Sequence, residues 1–158
     1  MRLDFHTHGK LAKKLPFSTV YTDWLFDEAR RAGLDALCLT EHFNTLQFSD
    51  LYGYLASKSR RVGDTLELPN GLRIFPGMET DVADGGHILS VGPLEAILEL
   101  NRQLEPYKGK GKFLPFEKLM NLFEQYPVLV GCGHPYRAPG HVPELPLDQL
   151  KRLNFLDL

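Results

Sequence analysis

Asp4-Phe5-His6-Thr7-His8 stands near the start of the chain and decides how everything after it is read. Leu3 and Phe5 alternate with polar residues, the period of a short strand. Side chains two apart on a strand share a face, so His6 and His8 point the same way, close enough to bind one metal ion. Alone the pair says little, because paired histidines also occur on ordinary solvated strands. Its meaning depends on whether later strands end in further ligands.

The next segment makes this strand the first of a parallel set. Residues 22–32 read as a helix, with Thr22 as N-cap, an apolar stripe of Trp24, Leu25, Ala29 and Ala32, and Gly33 as the stop. An apolar strand over 36–40 then runs directly into Glu41-His42. Strand, helix and strand in this order imply two parallel strands in an α/β sheet or barrel. Further helices are expected at 49–62 (capped by Ser49), 93–104, 115–125 and 147–152. Strands are expected from Leu72 through Glu79, from His87 to Val91, and from Val128 to Cys132, the last leading into Gly133-His134-Pro135. The basic stretch 108–112 reads as a solvated connector.

A chain of 158 residues is one domain's worth and can bury a real core. With 43% hydrophobic and 24% charged residues it has the composition of a soluble globular protein. A net charge of −2 argues against nucleic acid as a partner. No apolar run approaches the roughly 18 residues of a membrane span, and Met1-Arg2-Leu3-Asp4 does not open a signal peptide, so a cytoplasmic protein is expected. Cys38 and Cys132 lie in apolar strands and read as buried, reduced thiols. The closing run Phe155-Leu156-Asp157-Leu158 looks like a strand cut at its end, so the last part of the fold is expected to be missing.

Of the six histidines, His6 and His8 end the first strand, His42 follows the second, His87 opens another and His134 follows a later one. Glu79 ends the strand from Leu72. In a parallel α/β barrel the strand ends converge on one face, which carries the chemistry. His141, in a Pro-rich loop, has no such placement. A carboxylate among imidazoles suits zinc, manganese or iron better than calcium or magnesium. The ligands outnumber what one tetrahedral ion can use, which implies at least two metals with Glu79 able to bridge them. Such a site lowers the pKa of a bound water from 15.7 to about 7 and supplies hydroxide at neutral pH. Arg137, three residues after His134, could grip a phosphate through its planar fork, and Lys14 could do so as a point charge.

The ordered set Asp4-Phe5-His6-Thr7-His8, Leu39-Thr40-Glu41-His42, Gly77-Met78-Glu79, His87-Ile88-Leu89 and Gly133-His134-Pro135 resembles the motifs of the polymerase and histidinol phosphatase (PHP) domain family. The resemblance implies a distorted (β/α)7 TIM-like barrel, here incomplete at its C-terminus, as a single domain over 1–158. It implies two or three divalent metals (zinc, manganese or iron) and hydrolysis of a small phosphate ester by a metal-bound hydroxide. By the same resemblance His6, His8 and Glu79 hold one metal, Glu79, His87 and His134 a second, and His42 belongs to a third. Glu41 stands where the family usually has Asp, and is expected to hydrogen-bond a ligand or a bound water without touching a metal. Two departures stand out. Lys13 and Lys14 occupy positions where the family often has Asp or His, and the family's final Asp-x-His is not found. A metal-binding module without catalysis is therefore one alternative, and an amidohydrolase-like metal hydrolase another.

Overall fold

The computed structural model describes residues 1–136 and 145–157. Its strands are β1 (Leu3–Thr7), β2 (Ala36–Leu39), β3 (Arg60–Val62), β4 (Thr65–Glu67), β5 (Arg73–Asp81), β6 (His87–Val91), β7 (Leu129–Gly133) and β8 (Phe155–Asp157). The helices are α1 (Thr19–Arg31), α2 (Phe48–Lys58), α3 (Leu94–Gln103), α4 (Phe116–Phe123) and the short α5 (Leu147–Leu150). No helix among the described residues is long and apolar enough to cross a membrane.

One mixed sheet runs in the order β1-β2-β5-β6-β7-β8, with the hairpin β3–β4 attached to β5. The β1–β2, β2–β5 and β7–β8 pairs are parallel, as the opening strand–helix–strand reading requires. β6 is antiparallel to both its neighbours. The expected (β/α)7 barrel is thus replaced by a curled half-barrel with one reversed strand. The physical reason is the turn at 82–86, where Gly85 (φ 96°) and Gly86 (φ 90°) reverse the chain too tightly for a crossover helix.

Two helix boundaries differ from expectation. Ser18 caps α1, its side chain accepting the Tyr21 N–H at 3.3 Å. Thr22 lies inside the helix and spends its hydroxyl on the Gly9 carbonyl, 2.9 Å away. α2 stops at Lys58, and residues 60–67 form the β3–β4 hairpin, turned at Gly63 with φ 60°. α4 buries Phe116, Leu119, Met120 and Phe123, the face that the spacing i, i+3, i+4, i+7 predicts.

Phe26, Leu51, Leu55, Ile97, Leu100 and Phe123 from the helices join Leu37, Leu39, Ile74, Met78, Ile88 and Val130 from the strands in one apolar cluster. Within it Tyr52 of α2 is fully buried, its hydroxyl 2.6 Å from the Leu39 carbonyl and accepting the Gly77 N–H at 3.2 Å. The same hydroxyl meets the Gly77 carbonyl. It ties β2 to β5 two residues before Glu79. At the other end of the sheet, Gly131 makes room for Phe155: a Cβ on Gly131 would lie 2.4 Å from that ring. Phe155 in turn reaches Phe5, ring centroids 5.2 Å apart, across the seam between β1 and β8.

Tyr52→Phe removes the tie while keeping the ring. It is expected to lower unfolding free energy by about 1–3 kcal/mol, because the Gly77 N–H is left buried without its acceptor. Urea denaturation of the two proteins under identical metal conditions checks this.

Candidate metal centre

β1, β2, β5, β7 and β8 all run one way and β6 runs the other. The C-terminal ends of five strands and the N-terminal end of β6 therefore share one rim. His87 pairs with both Asp81 and Gly133 in the ladder, so the residue that opens β6 lies beside those that close β5 and β7. In an all-parallel sheet the first residue of a strand would sit at the far end.

The rim gathers His6, His8, His42, Glu79, His87 and His134. Glu79 is 2% exposed and stands at the middle. Its Oε2 lies 3.5 Å from His6 Nε2, 3.3 Å from His8 Nε2 and 2.9 Å from His42 Nδ1, and its Oε1 lies 3.4 Å from His87 Nδ1. The His134 ring stacks on His6 at 4.5 Å and meets His87 edge-on at 6.4 Å. His8 stacks on His42 at 4.3 Å. His134 is held at φ 51°, a left-handed backbone uncommon for a residue with a Cβ.

The donors fit a divalent cation. His6 Nε2 and Glu79 Oε2, which face each other at the rim, are buried with no hydrogen-bond partner among the described residues. Glu79 Oε2 has three imidazole nitrogens within 3.5 Å, yet none in hydrogen-bonding geometry. Polar atoms buried in this way cost about 1–3 kcal/mol each unless something else engages them. Among the described residues, two groups have donor atoms all within 4.8 Å of one another: His6, His8 and Glu79, and His6, His134 and Asp157. Nitrogen and carboxylate donors in such numbers match the ligand preferences of zinc and its transition-metal neighbours.

Asp157 escaped the sequence reading. Its Oδ2 lies 2.9 Å from His6 Nδ1, which leaves His6 Nε2 facing Glu79. The signal was a carboxylate closing an apolar strand, the same pattern as Glu79. Asp81 was also missed, although it lies two residues after Glu79 on the same face of β5; its Oδ1 is 2.9 Å from His87 Nδ1.

Glu41 is buried behind the rim. Its Oε2 accepts the backbone N–H groups of Gly9 and Lys10, at 3.0 and 3.1 Å, and its Oε1 accepts that of His42 at 3.0 Å. It orders the backbone around two candidate ligands, with His8 Nδ1 3.9 Å away. Lys14 is exposed, and Lys13 is the neighbouring lysine that reaches the rim, 3.5 Å from Asp81. Arg137 and His141 lie outside the described residues. Burial pushes both thiols, Cys38 and Cys132, up to about 12, away from thiolate chemistry. Beside the rim, a cavity of about 690 Å³ is lined by Asn44, Thr45, Phe48, Leu98, Asn101 and Lys108 among others.

The titrating groups divide by environment. Burial disfavours the Glu79 carboxylate, but His42 and His6 outweigh it and hold this group well below the usual range. Burial, with His42 alongside, pushes His8 down to about 4, leaving it unprotonated at neutral pH. Burial also opposes a charge on His6, yet Glu79 and Asp157 raise it above its ordinary value. Asp81 raises His87 despite burial. His6 and His87 thus keep their protons past the ordinary value of 6.5, and a metal must displace them. Binding of Mn²⁺ or Zn²⁺ at about pH 7 is expected to release protons, a release that shrinks as rising pH removes the His6 and His87 protons beforehand, while affinity rises. Titration calorimetry in buffers of different ionisation heat measures it directly.

No family model matches the sequence, and no curated protein matches it. Among solved structures, PsfC from Pseudomonas syringae PB-5123 superposes with a TM-score of 0.76 at 24% identity, over 99% of this chain and 65% of that one. The lesion-specific endonuclease PfuEndoQ from Pyrococcus furiosus gives a TM-score of 0.72 at 18% identity, over 98% of this chain and 40% of that one. Endonuclease Q in complex with a 27-mer duplex, an abasic lesion at its active site, gives 0.73 at 17%, over 98% and 41%. The chain spans just under two thirds of PsfC and about two fifths of Endonuclease Q. The expectation that excluded nucleic acid is corrected by the last of these, since a protein of this fold is seen with a DNA duplex. Net charge over a whole chain is the wrong guide, because a ligand meets a local surface and not the average one. What the comparisons establish is the fold, a mixed α/β half-barrel shared with PsfC and Endonuclease Q.

Proposed function

We propose that this chain is a metal-dependent hydrolase of phosphate esters, of the PHP type, working with two divalent ions of zinc, manganese or iron. The observation that carries the reading is Glu79, a buried carboxylate with His6, His8 and His42 on one oxygen and His87 on the other. One ion would be held by His6, His8 and Glu79, whose donor atoms converge; the motif resemblance assigns a second to Glu79, His87 and His134, and the donors of His134 converge with those of His6 and Asp157. Bound there, the ions would bring a water's pKa toward neutrality and draw off charge from phosphoryl oxygens. The protein's own part is positional. Glu79 would be shared by the two ligand sets, and Glu41 holds the backbone of Gly9, Lys10 and His42 in place. Asp157 sets the ring orientation of His6. Arg137 is proposed from the sequence as a phosphate grip. Two thiols without a disulfide suit a reducing, cytoplasmic setting.

The size of the ester is the open choice within this reading. A small phosphomonoester follows from the motif resemblance, and a nucleic-acid phosphodiester is favoured by the likeness to Endonuclease Q. The test uses purified protein whose metal content is measured, loaded with Mn²⁺. Its substrates are p-nitrophenyl phosphate, bis(p-nitrophenyl) phosphate, a DNA duplex carrying an abasic site, and an anilide as amide control. Turnover of at least one phosphate ester and none of the anilide is expected. Glu79→Gln should lower kcat/KM by about 100-fold or more. A metal-loaded protein that turns over none of the esters overturns the proposal, and one that cleaves only the anilide assigns the centre to amide hydrolysis.

A further inference from the structure

Lys13 is placed with more care than a surface lysine needs. Its backbone carbonyl accepts the Leu46 N–H at 2.9 Å and the Thr45 hydroxyl at 3.2 Å, with Lys10 Nζ a further 3.5 Å contact. Lys10 is itself a buried ammonium, 6% exposed, donating to Thr45 Oγ1 at 3.1 Å and to the Leu46 carbonyl. The loop after β1 is thereby fastened to the loop after β2 at the residue that carries the Lys13 side chain. From that fixed point the side chain, 39% exposed, crosses to the rim, Nζ 3.5 Å from Asp81 Oδ2. Asp81 also meets His87 Nδ1 at 2.9 Å and accepts from Asn44 Nδ2 at 3.2 Å.

As a stabilising ion pair this arrangement makes little sense. A partly exposed pair at this distance contributes about 0–1 kcal/mol, whereas burying the Lys10 ammonium to hold the loop costs more than that before its hydrogen bonds are counted. A cation fixed at the mouth of an anion-handling centre is a better account. Among the described residues, neither group of convergent donors includes His42 or Asp81. His42 has Glu79 at 2.9 Å, and Asp81 already carries Lys13 and Asn44.

We propose that Lys13 is the substrate-binding cation of the centre: its ammonium, resting on Asp81, grips a non-bridging phosphate oxygen. This rests on the phosphoesterase reading, which it deepens by assigning a substrate-binding charge to the chain itself. The ligand chemistry is a tetrahedral phosphate dianion or monoanion. Lys13 does no proton transfer in this account. It binds.

The experiment compares wild type, Lys13→Met and Lys13→Arg, each loaded with Mn²⁺. Metal per chain is read by atomic spectroscopy and inorganic phosphate binding by calorimetry. The expected result is unchanged metal content in all three, and phosphate binding weakened about tenfold or more in Lys13→Met, the loss of one charge-assisted contact. Lys13→Arg should recover most of that affinity. In ester hydrolysis, Lys13→Met should raise KM more than it lowers kcat. Phosphate affinity in Lys13→Met within about twofold of wild type overturns the inference. So does loss of metal from Lys13→Met, or a metal-loaded wild type that binds no phosphate. Lys13-dependent phosphate binding without hydrolysis of any ester keeps the inference and removes the proposed function, so the two failures are separable.

Discussion

A carboxylate buried among imidazoles is the constraint on which this molecule depends. Glu79 is 2% exposed, and removing a carboxylate from water costs several kcal/mol unless charge or hydrogen bonds replace it. The fold holds it there through its backbone. The Glu79 N–H donates to the Glu41 carbonyl at 2.9 Å, and the Glu79 carbonyl accepts the Phe43 N–H at 2.8 Å. These two bonds bracket His42, which therefore has no freedom to stand anywhere but beside Glu79. Two residues earlier, Gly77 lets β5 close up on both neighbours: a Cβ there would lie 2.7 Å from the Ser90 carbonyl of β6 and 3.2 Å from the Leu39 carbonyl of β2. Tyr52 then locks β2 and β5 from behind.

From this anchor the rest of the rim follows. β1 lies parallel to β2 and delivers His6 and His8, with an irregular ladder between Asp4 and Thr7. β6 runs backward and delivers His87 from its first residue. β7 ends in Gly133, whose missing side chain lets His134 follow close to His6; a Cβ on Gly133 would approach His6 Cε1 to 3.3 Å. β8 brings Asp157, seated by Phe155 over Gly131 and by Asn154, whose N–H and side-chain oxygen both bond Val130. Each rim residue thus owes its position to a backbone register or to an absent Cβ.

The gathering of these side chains was legible in the sequence because candidate ligands and strand ends coincide. His6, His8, His42, Glu79, His87 and His134 could be marked on a one-dimensional string, and the rim gathers all six. Strand direction was less legible. Asp84-Gly85-Gly86 reads as a turn, but only the pairing of β6 with β5 and β7 says that the turn closes a hairpin. The β3–β4 hairpin was hidden because Arg60-Arg61-Val62 can extend a helix as readily as start a strand, and Gly63 decides. Lys13 could not be told from Lys14 at all. Which of two adjacent lysines faces inward depends on loop contacts from Thr45 and Leu46, residues more than thirty positions away.

The reversed strand also divides the centre by distance along the chain. Glu79 and His87 lie eight residues apart within one hairpin. His6 and Asp157 lie 151 apart and come from the two outermost strands of the sheet. Loop-closure entropy scales as about (3/2)RT ln n, so the distant pair costs about 2–3 kcal/mol more to bring together. Local hairpins form in microseconds, while contacts between distant segments wait for the sheet to assemble. The half of the centre around Glu79 and His87 is therefore built early, and the half around His6 and Asp157 last. A cation bridging the two halves would act as a clasp on the seam between β1 and β8, so the ion and the last step of folding would be one event.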